Sequence, residues 1–197
     1  MSPRPAARVE QVREERRRDV LRAARGVFAR KGFAAAKISD IASAAGISHG
    51  LVHHYFSSKE ALFVAVIEES VQGWEALIAQ ARAQPVTAWE RLVFVCSIMG
   101  ESSAAASEHL LIIVHASMDE DAPVPVREAL ERLERRVHEP LSLLIEEAQR
   151  TGAATAGPPG ELARAWMAVT QGLAISQALH PHQARPSIAL ALRLLKA

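Results

Sequence analysis

A glycine between two short helix-forming segments restricts the fold of this chain more than any other feature; it lies in the stretch KISDIASAAGISHGLVHHYF. Residues 38–45 repeat their apolar side chains at helical spacing and lead to Gly46, a residue type that readily takes the left-handed conformation that ends a helix. Ser48 is a favourable N-cap, so a second short helix is predicted to run from there to about Tyr55. Two short helices around such a turn predict a helix-turn-helix unit.

Helical periodicity continues along nearly the whole chain, and the alternation of apolar and polar residues typical of strands is almost absent. We therefore predict an all-α fold of about nine helices. The predicted helices cover approximately residues 10–31, 38–45, 48–55, 57–83, 89–99, 110–118, 126–150, 161–179 and 187–196. Gly32 is expected to end the first helix and Pro140 to kink the seventh. A capping box from Ser57 to Glu60 is expected to begin the fourth, and residues 151–160 are predicted to be a linker.

Charge is unevenly distributed along the chain, although the net charge is only +1. Residues 1–60 contain 12 Lys and Arg against 6 Asp and Glu, whereas residues 61–197 contain 11 against 16. A basic N-terminal part indicates an anionic partner for that part of the chain. A solvated, charge-laced helix remains the alternative explanation for the run REERRR by itself.

Composition narrows the class of protein and its compartment. With 49% apolar and 23% charged residues the chain is an ordinary globular protein, and no apolar run reaches the ~18 residues of a membrane span. The basic N-terminus is not followed by the apolar segment of a secretory signal. Cys96 is the single cysteine, which excludes an intramolecular disulfide and a cysteine-based zinc site. We expect a cytoplasmic protein without a membrane partner.

The helix-turn-helix pattern predicts where the chain meets DNA. The second helix of such a unit lies in the major groove, and its first residues face the base edges. Here these residues are His49, Gly50 and Leu51, of which His49 can hydrogen-bond a base or a phosphate and Gly50 allows close approach of the backbone. Lys59, at the start of the next helix, combines a charge with free backbone N–H groups and is predicted to contact a phosphate.

This part of the sequence resembles the N-terminal domain of TetR/AcrR-family transcriptional repressors. The resemblance rests on five pieces at fitting spacing: GVFARKGF (26–33), DIA (40–42), AAGIS (44–48), HYF (54–56) and SKEAL (58–62). It implies a three-helix, helix-turn-helix DNA-binding domain in residues 1–66, of which 1–9 are expected to be flexible. It also implies a helical ligand-binding and dimerisation domain in residues 67–197.

The resemblance also assigns DNA-contacting residues. It implies that the recognition helix starts at Ser48 and that His53 takes a phosphate-contacting position that is usually tyrosine. The full predicted set is Lys37, Ser48, His49, Gly50, Leu51, His53, His54 and Lys59. Ala36 departs from the family pattern, in which threonine commonly caps the second helix, and Lys37 could supply charge there instead. Leu51 replaces a residue that is commonly small or hydroxylated, which changes the expected base contacts.

For the second domain the resemblance implies a small-molecule pocket and a dimer interface. Bulky, adaptable side chains are the candidate pocket residues, although at helical spacing they also fit a plain core: Trp74, Trp89, Phe94, Met99, His115, Met118, Trp166 and Met167. Small and apolar residues of the last two helices are the candidate dimer contacts: Ala165, Ala168, Gly172, Ile175, Leu190 and Leu194. The alternative is that these two helices only close the monomer core.

The function predicted from the sequence is a homodimeric repressor that a largely apolar small-molecule effector releases from an inverted-repeat operator in double-stranded DNA. No catalytic residue, cofactor or metal is predicted. One alternative is a DNA-binding regulator without a small-molecule ligand. The other is a small helical metal-dependent enzyme that uses His49, His53 and His54. Adjacent His53 and His54 point about 100° apart on a helix, which opposes chelation of one ion by that pair.

Overall fold

The structure, a computed structural model, describes residues 5–100, 104–180, 182–183 and 187–197. These residues form nine α-helices, as predicted, and contain no strand beyond one isolated bridge. The helices are α1 (Pro5–Ala35), α2 (Ile38–Ala45), α3 (His49–Tyr55), α4 (Lys59–Ala83), α5 (Ala88–Gly100), α6 (Ala104–Ser117), α7 (Val124–Arg150), α8 (Pro159–Leu179) and α9 (Ile188–Leu192). None of the described helices is long and apolar enough to cross a membrane.

Helix α1 is longer at both ends than its periodicity predicts. It begins at Pro5, a residue type that the first turn of a helix tolerates, so residues 5–9 are part of the helix. Residues 1–4, also predicted to be flexible, lie outside the described residues. Gly32 interrupts the helix at φ 70°, and the chain then completes a further turn to Ala35. The predicted helix end at Gly32 is thus a break within α1.

Two compact units divide the chain. The first comprises the described residues of 1–68 and 111–130, and the second those of 69–110 and 131–197. Residues 111–130 therefore pack with the N-terminal unit, whereas the sequence places them in the second domain. Three helices, α4, α6 and α7, contribute residues to both units because each continues past a division point.

The first unit is organised around three phenylalanines. The Phe28 and Phe63 rings meet edge to face with centroids 5.2 Å apart, and Phe33 meets Phe63 in the same way at 5.3 Å. Such pairs stabilise a core by roughly 0.5–1.5 kcal/mol beyond their buried area. The apolar face predicted for α1 is buried in this unit: Val20, Leu21, Ala24, Val27 and Phe28.

The second unit has its own core, to which α4, α5, α7, α8 and α9 contribute. Trp166 of α8 is 1% exposed and is among the largest fully buried side chains, while Trp74 of α4 lies in the same cluster. Cys96 is fully buried beside Leu92 and Val95, as expected for a small apolar residue. Burial raises the pKa of the Cys96 thiol far above its ordinary value, so this thiol stays protonated.

The segment 151–160, predicted to be a linker, is held in place by hydrogen bonds. Thr155 N donates to the Leu195 carbonyl at 2.8 Å, and the side-chain amide of Gln149 donates to the Thr155 carbonyl at 2.7 Å. An isolated bridge joins Ala154 to Lys196. This pairing also explains why α9 ends at Leu192 rather than near Lys196, because the last residues leave the helix to bond with the segment.

Candidate nucleic-acid interface

The turn between α2 and α3 depends on the conformation of Gly46. This residue takes φ 66° and ψ 32°, the left-handed region in which a side chain is strained, and its N–H donates to the Ser43 carbonyl at 3.2 Å. Ile47 N donates to the Ala42 carbonyl at 3.0 Å, which satisfies another carbonyl at the end of α2. The predicted glycine turn is therefore present, and it joins α2 to α3 through the three residues 46–48.

Helix α3 is fixed by one cap and one buried anchor. The Ser48 hydroxyl accepts a hydrogen bond from Leu51 N at 3.3 Å, as predicted for an N-cap, and the Val52 side chain is completely buried. The predicted contact residues Ser48, His49, Gly50, Leu51, His53 and His54 are all exposed. A short helix thus presents its outer face to solvent with little freedom to change orientation.

Two histidines of α3 lie against each other. The ring centroids of His49 and His53 are 4.8 Å apart with an interplanar angle of 58°, because residues four apart in a helix share one face. His54 lies on another face and contacts Tyr55 edge to face at 5.3 Å. The spacing of four residues from His49 to His53 is visible in the sequence and indicates that these two rings share a face, unlike His53 and His54.

The side chain of Lys59, predicted to contact a phosphate, forms hydrogen bonds within the first unit. Its Nζ donates to three carbonyl oxygens at the end of α1, those of Phe33 at 2.9 Å, Ala36 at 3.1 Å and Ala34 at 3.3 Å. The ammonium also lies 4.4 Å from the centroid of the Phe33 ring. Because an ammonium has three donors, these bonds occupy its capacity within the domain, and its side chain is not available to clamp a phosphate.

The start of helix α4 also differs from the prediction by one residue. Ser58, not Ser57, provides the cap, and its Oγ accepts a hydrogen bond from Ala61 N at 3.1 Å. A hydrogen bond from the Ser58 side chain lowers the pKa of Glu60, and the Glu60 backbone N–H acts in the same direction. The serine that caps α4 and bonds the Glu60 carboxylate is therefore Ser58, two positions before Glu60, rather than the predicted Ser57.

Helix α2 begins with a cap that the sequence analysis missed. The Asp40 carboxylate accepts a hydrogen bond from Lys37 N at 3.1 Å and forms an ion pair with Lys31 Nζ at 2.9 Å. The side-chain bond from Lys31 and the backbone bond from Lys37 lower the pKa of the Asp40 carboxyl. This carboxylate replaces the cap that Ala36 lacks, and the side chain of Lys37 stays exposed. The available signal was an acidic residue at the third position of a helix.

The predicted pocket residues fall into two groups. Six belong to the core of the second unit: Trp74 and Trp166 are buried in it, and four partly buried residues pack against that core, namely Trp89, Phe94, Met99 and Met167. The remaining two belong to the first unit and are exposed, Met118 by 78%. His115 lies against the backbone of Gly32, since a Cβ built there would meet the His115 side chain at 3.5 Å. His115 and Met118 thus belong to a different compact unit from the other six predicted pocket residues.

All six predicted dimer residues are exposed in the single chain: Ala165, Ala168, Gly172, Ile175, Leu190 and Leu194. The large ones among them are well exposed, Leu190 by 57% and Leu194 by 56%. On α8 the four members are spaced as one helix face, while Trp166 and Thr170 of the opposite face are buried. Other residues of α8 and α9 do lie in the core of the second unit, among them Trp166 and Leu192, so the six exposed residues stay candidates for the dimer interface.

Comparison with known proteins extends the similarity over both units. Residues 20–66 match the sequence profile described as "Bacterial regulatory proteins, tetR family". The HTH-type transcriptional regulator BetI of Brucella anthropi is 28% identical over 181 residues, which cover 90% of this chain and 89% of that protein. The match is therefore not confined to the helix-turn-helix.

Solved structures share the fold. A transcriptional regulator from Saccharomonospora viridis, in complex with choline, has a TM-score of 0.73 at 22% identity and covers 92% of this chain and 94% of its own. A second solved structure concerns the control of antibiotic production by bacterial hormones. It has a TM-score of 0.68 at 26% identity and covers 92% of this chain and 97% of its own.

Proposed function

We propose that this chain, which belongs to the TetR family of bacterial transcriptional regulators, acts as a homodimeric repressor that a small-molecule ligand releases from a palindromic operator. The family makes it a DNA-binding regulator, and its relatives are transcriptional regulators rather than enzymes. The hypothesis of a metal-dependent enzyme is therefore dropped. Because the protein is proposed to bind bacterial DNA, we place it in the cytoplasm.

The observation that carries the DNA-binding part is the exposed face of α3. Its N-terminal residues stand outward on a helix that Ser48 caps and Val52 anchors. An α-helix fits the major groove, where imidazole nitrogens can bond base edges and an apolar side chain can contact a thymine methyl group. In this proposal His49 and Leu51 read bases, and Gly50 allows the backbone to approach.

The residues around that face are proposed to contact the phosphate backbone of the DNA. His53 and His54 lie further along α3 and are exposed, as is the Lys37 side chain before α2. Contacts to phosphates set the register of a protein on the duplex without carrying sequence information. We assign phosphate contacts to Lys37, His53 and His54, and we leave out the Lys59 side chain because it bonds carbonyls of its own domain.

Support for the homodimer comes from the apolar residues that the single chain leaves in water. Ile175, Leu190 and Leu194 are more than a third exposed, and small residues precede Ile175 on the same face of α8. Two copies related by a two-fold axis would bury this surface against itself. In this proposal the two recognition helices of the dimer lie about one DNA turn (~34–36 Å) or slightly more apart, so the operator should be an inverted repeat.

The ligand is proposed to bind in the core of the second unit, close to its two buried tryptophans. Trp74 and Trp166 are buried there, and adaptable methionines pack beside them. Among solved proteins of the same fold, one is bound to choline and another is described with bacterial hormones, which supports a small organic effector. A regulator without a ligand is the second candidate. Thermal-shift screening separates them, because a specific ligand raises the unfolding temperature.

Selection of bound sequences from random double-stranded DNA tests the central part of the proposal. The untagged wild-type chain should enrich an inverted repeat whose half-sites lie about one helical turn apart. Its affinity should fall steeply as salt rises, since phosphate contacts release counterions. His182→Ala is the matched control, because His182 is exposed and lies outside α3. Enrichment of no sequence, or affinity independent of salt, would overturn the assignment.

A further inference from the structure

The two histidines that contact each other on α3 form an arrangement that suits more than a DNA contact. His49 and His53 lie one turn apart, both side chains are exposed, and their ring centroids are 4.8 Å apart. Imidazoles at positions i and i+4 of a helix share one face, which is the spacing of the two zinc-binding histidines of the His-Glu-x-x-His motif. His49 and His53 therefore have the spacing along a helix that a two-histidine chelate requires.

The distance between the rings fits chelation of one ion. Each ligating nitrogen lies about 2.0–2.1 Å from a bound Zn²⁺, so two imidazoles on adjacent octahedral or tetrahedral positions have centroids roughly 4.5–5.2 Å apart. The observed 4.8 Å falls within that range without movement of the helix. The 58° angle between the ring planes changes by side-chain rotation, which two exposed rings can undergo.

We propose that His49 and His53 bind one divalent late first-row transition-metal ion, of the class of Ni²⁺, Cu²⁺ and Zn²⁺, through one nitrogen each. Imidazole is a ligand that these ions prefer, whereas Mg²⁺ and Ca²⁺ prefer oxygen. The described residues contain no group of three or more His, Cys, Asp or Glu that could hold a metal, so water completes the coordination. Such a site exchanges its ion readily and does not supply a structural core.

His54 is not part of this site. One residue further along the helix is a rotation of about 100°, and the His54 ring packs edge to face on Tyr55 at 5.3 Å. His54 is therefore a matched control, because it is an exposed histidine on the same helix that lies outside the chelating pair.

Metal binding at this pair would act on the recognition helix itself. An ion held by both rings takes a nitrogen from each and places a hydrated ion on the face proposed to enter the groove. We therefore expect metal to lower the affinity for the operator. This consequence rests on the proposed DNA-binding function, whereas chelation by the two histidines does not.

Calorimetric titration of the untagged full-length chain with NiCl₂, in the absence of DNA, tests chelation alone. The wild type should bind one Ni²⁺ per chain more tightly than His49→Ala or His53→Ala by about tenfold or more, because losing one ring converts a chelate into a single contact. His54→Ala should titrate like the wild type, and the double variant of His49 and His53 should bind Ni²⁺ no more tightly than either single one. Circular dichroism checks that each variant is folded. Equal affinity and stoichiometry in wild type and both single variants would overturn the site.

A second measurement tests the effect on DNA. Fluorescence anisotropy with the selected operator, with and without Ni²⁺, should show weaker binding of the wild type in metal and recovery on addition of a chelator. The ratio of the two affinities should approach one in the His53→Ala variant. Metal that leaves wild-type affinity unchanged, or raises it, would overturn the inhibitory effect, and calorimetry would still report on chelation. Absence of operator binding without metal would instead count against the proposed function.

Discussion

The Nζ atom of Lys59 donates a hydrogen bond of 2.9 Å to the carbonyl oxygen of Phe33. Two further carbonyls at the same end of α1 accept from this ammonium, and the Phe33 ring lies beside it. Carbonyls at a helix end lack partners within the helix, and a cation there also opposes the negative end of the helix dipole. A single lysine thus fixes where α1 ends relative to the start of α4 within the first unit.

Replacement of Lys59 by methionine should therefore destabilise the domain. The substitution keeps the apolar stem but leaves the carbonyls of Phe33, Ala34 and Ala36 without this donor, a loss of about 1–3 kcal/mol in the free energy of unfolding. Urea unfolding followed by circular dichroism measures it. Lys196→Met, at an exposed lysine near the C-terminus, is the control. Equal stability of the two variants would contradict this role.

Substitution at Gly46 should separate conformation from contact. A Cβ at Gly46 or at Gly50 meets no atom within 4 Å, but only Gly46 has a positive φ, 66°. We expect Gly46→Ala to lose about 1–2 kcal/mol of stability, because a side chain is strained in the left-handed region. Gly50→Ala should lose none, since alanine favours the helix. Urea unfolding decides, and similar losses at the two positions would show that φ is not the cause.

The Asp40 carboxylate should make stability depend on pH in the acid range. Hydrogen bonds from Lys31 and the Lys37 backbone hold its pKa below the usual value near 3.8, so its contribution is present above that value and is lost as pH falls through the folded pKa. Asp40→Asn should be less stable than wild type at pH 6 and closer to it below pH 3. Parallel curves of stability against pH would contradict this.

The two histidines of the pair should differ in what they do to DNA binding. His49→Ala should alter the preference among operator sequences, because His49 is proposed to read a base. His53→Ala should weaken binding to all sequences by a similar factor and reduce its salt dependence, because His53 is proposed to contact a phosphate. Anisotropy titrations on the operator and its single-base variants measure both. If neither variant changes binding, the placement of α3 in the groove is wrong.

A charge at the exposed apolar surface should prevent dimer formation. Leu190→Glu places a carboxylate twice in a two-fold interface, and burying unpaired charge costs several kcal/mol, so the dimer Kd should rise by roughly 100-fold or more. Helical content should be retained, since Leu190 is 57% exposed in the single chain. Light scattering after gel filtration reports the mass. Ile98→Glu, at a residue 44% exposed outside α8 and α9, should remain dimeric.

Local patterns were sufficient for the helices that lie in the first unit. The α2 bounds match the prediction, and α3 begins after the predicted Ser48 cap, because both helices are short, amphipathic and bounded by strong signals. The buried face of α1 followed from its periodicity, including Phe28 at the centre of the aromatic cluster. These features depend on residues within about four positions of each other, which a sequence displays directly.

The all-α fold, the helix-turn-helix and the resemblance to a regulator family were predictable from the residues alone, since each depends on local spacing. The partners that long side chains bond depend instead on tertiary packing. Tertiary packing directs Lys59 to carbonyls more than twenty positions away, leaves Met118 exposed and joins Thr155 to Leu195. A lysine can satisfy its charge at a phosphate or at a helix end equally well by composition, and only the packed neighbours set which of them lies within hydrogen-bonding distance.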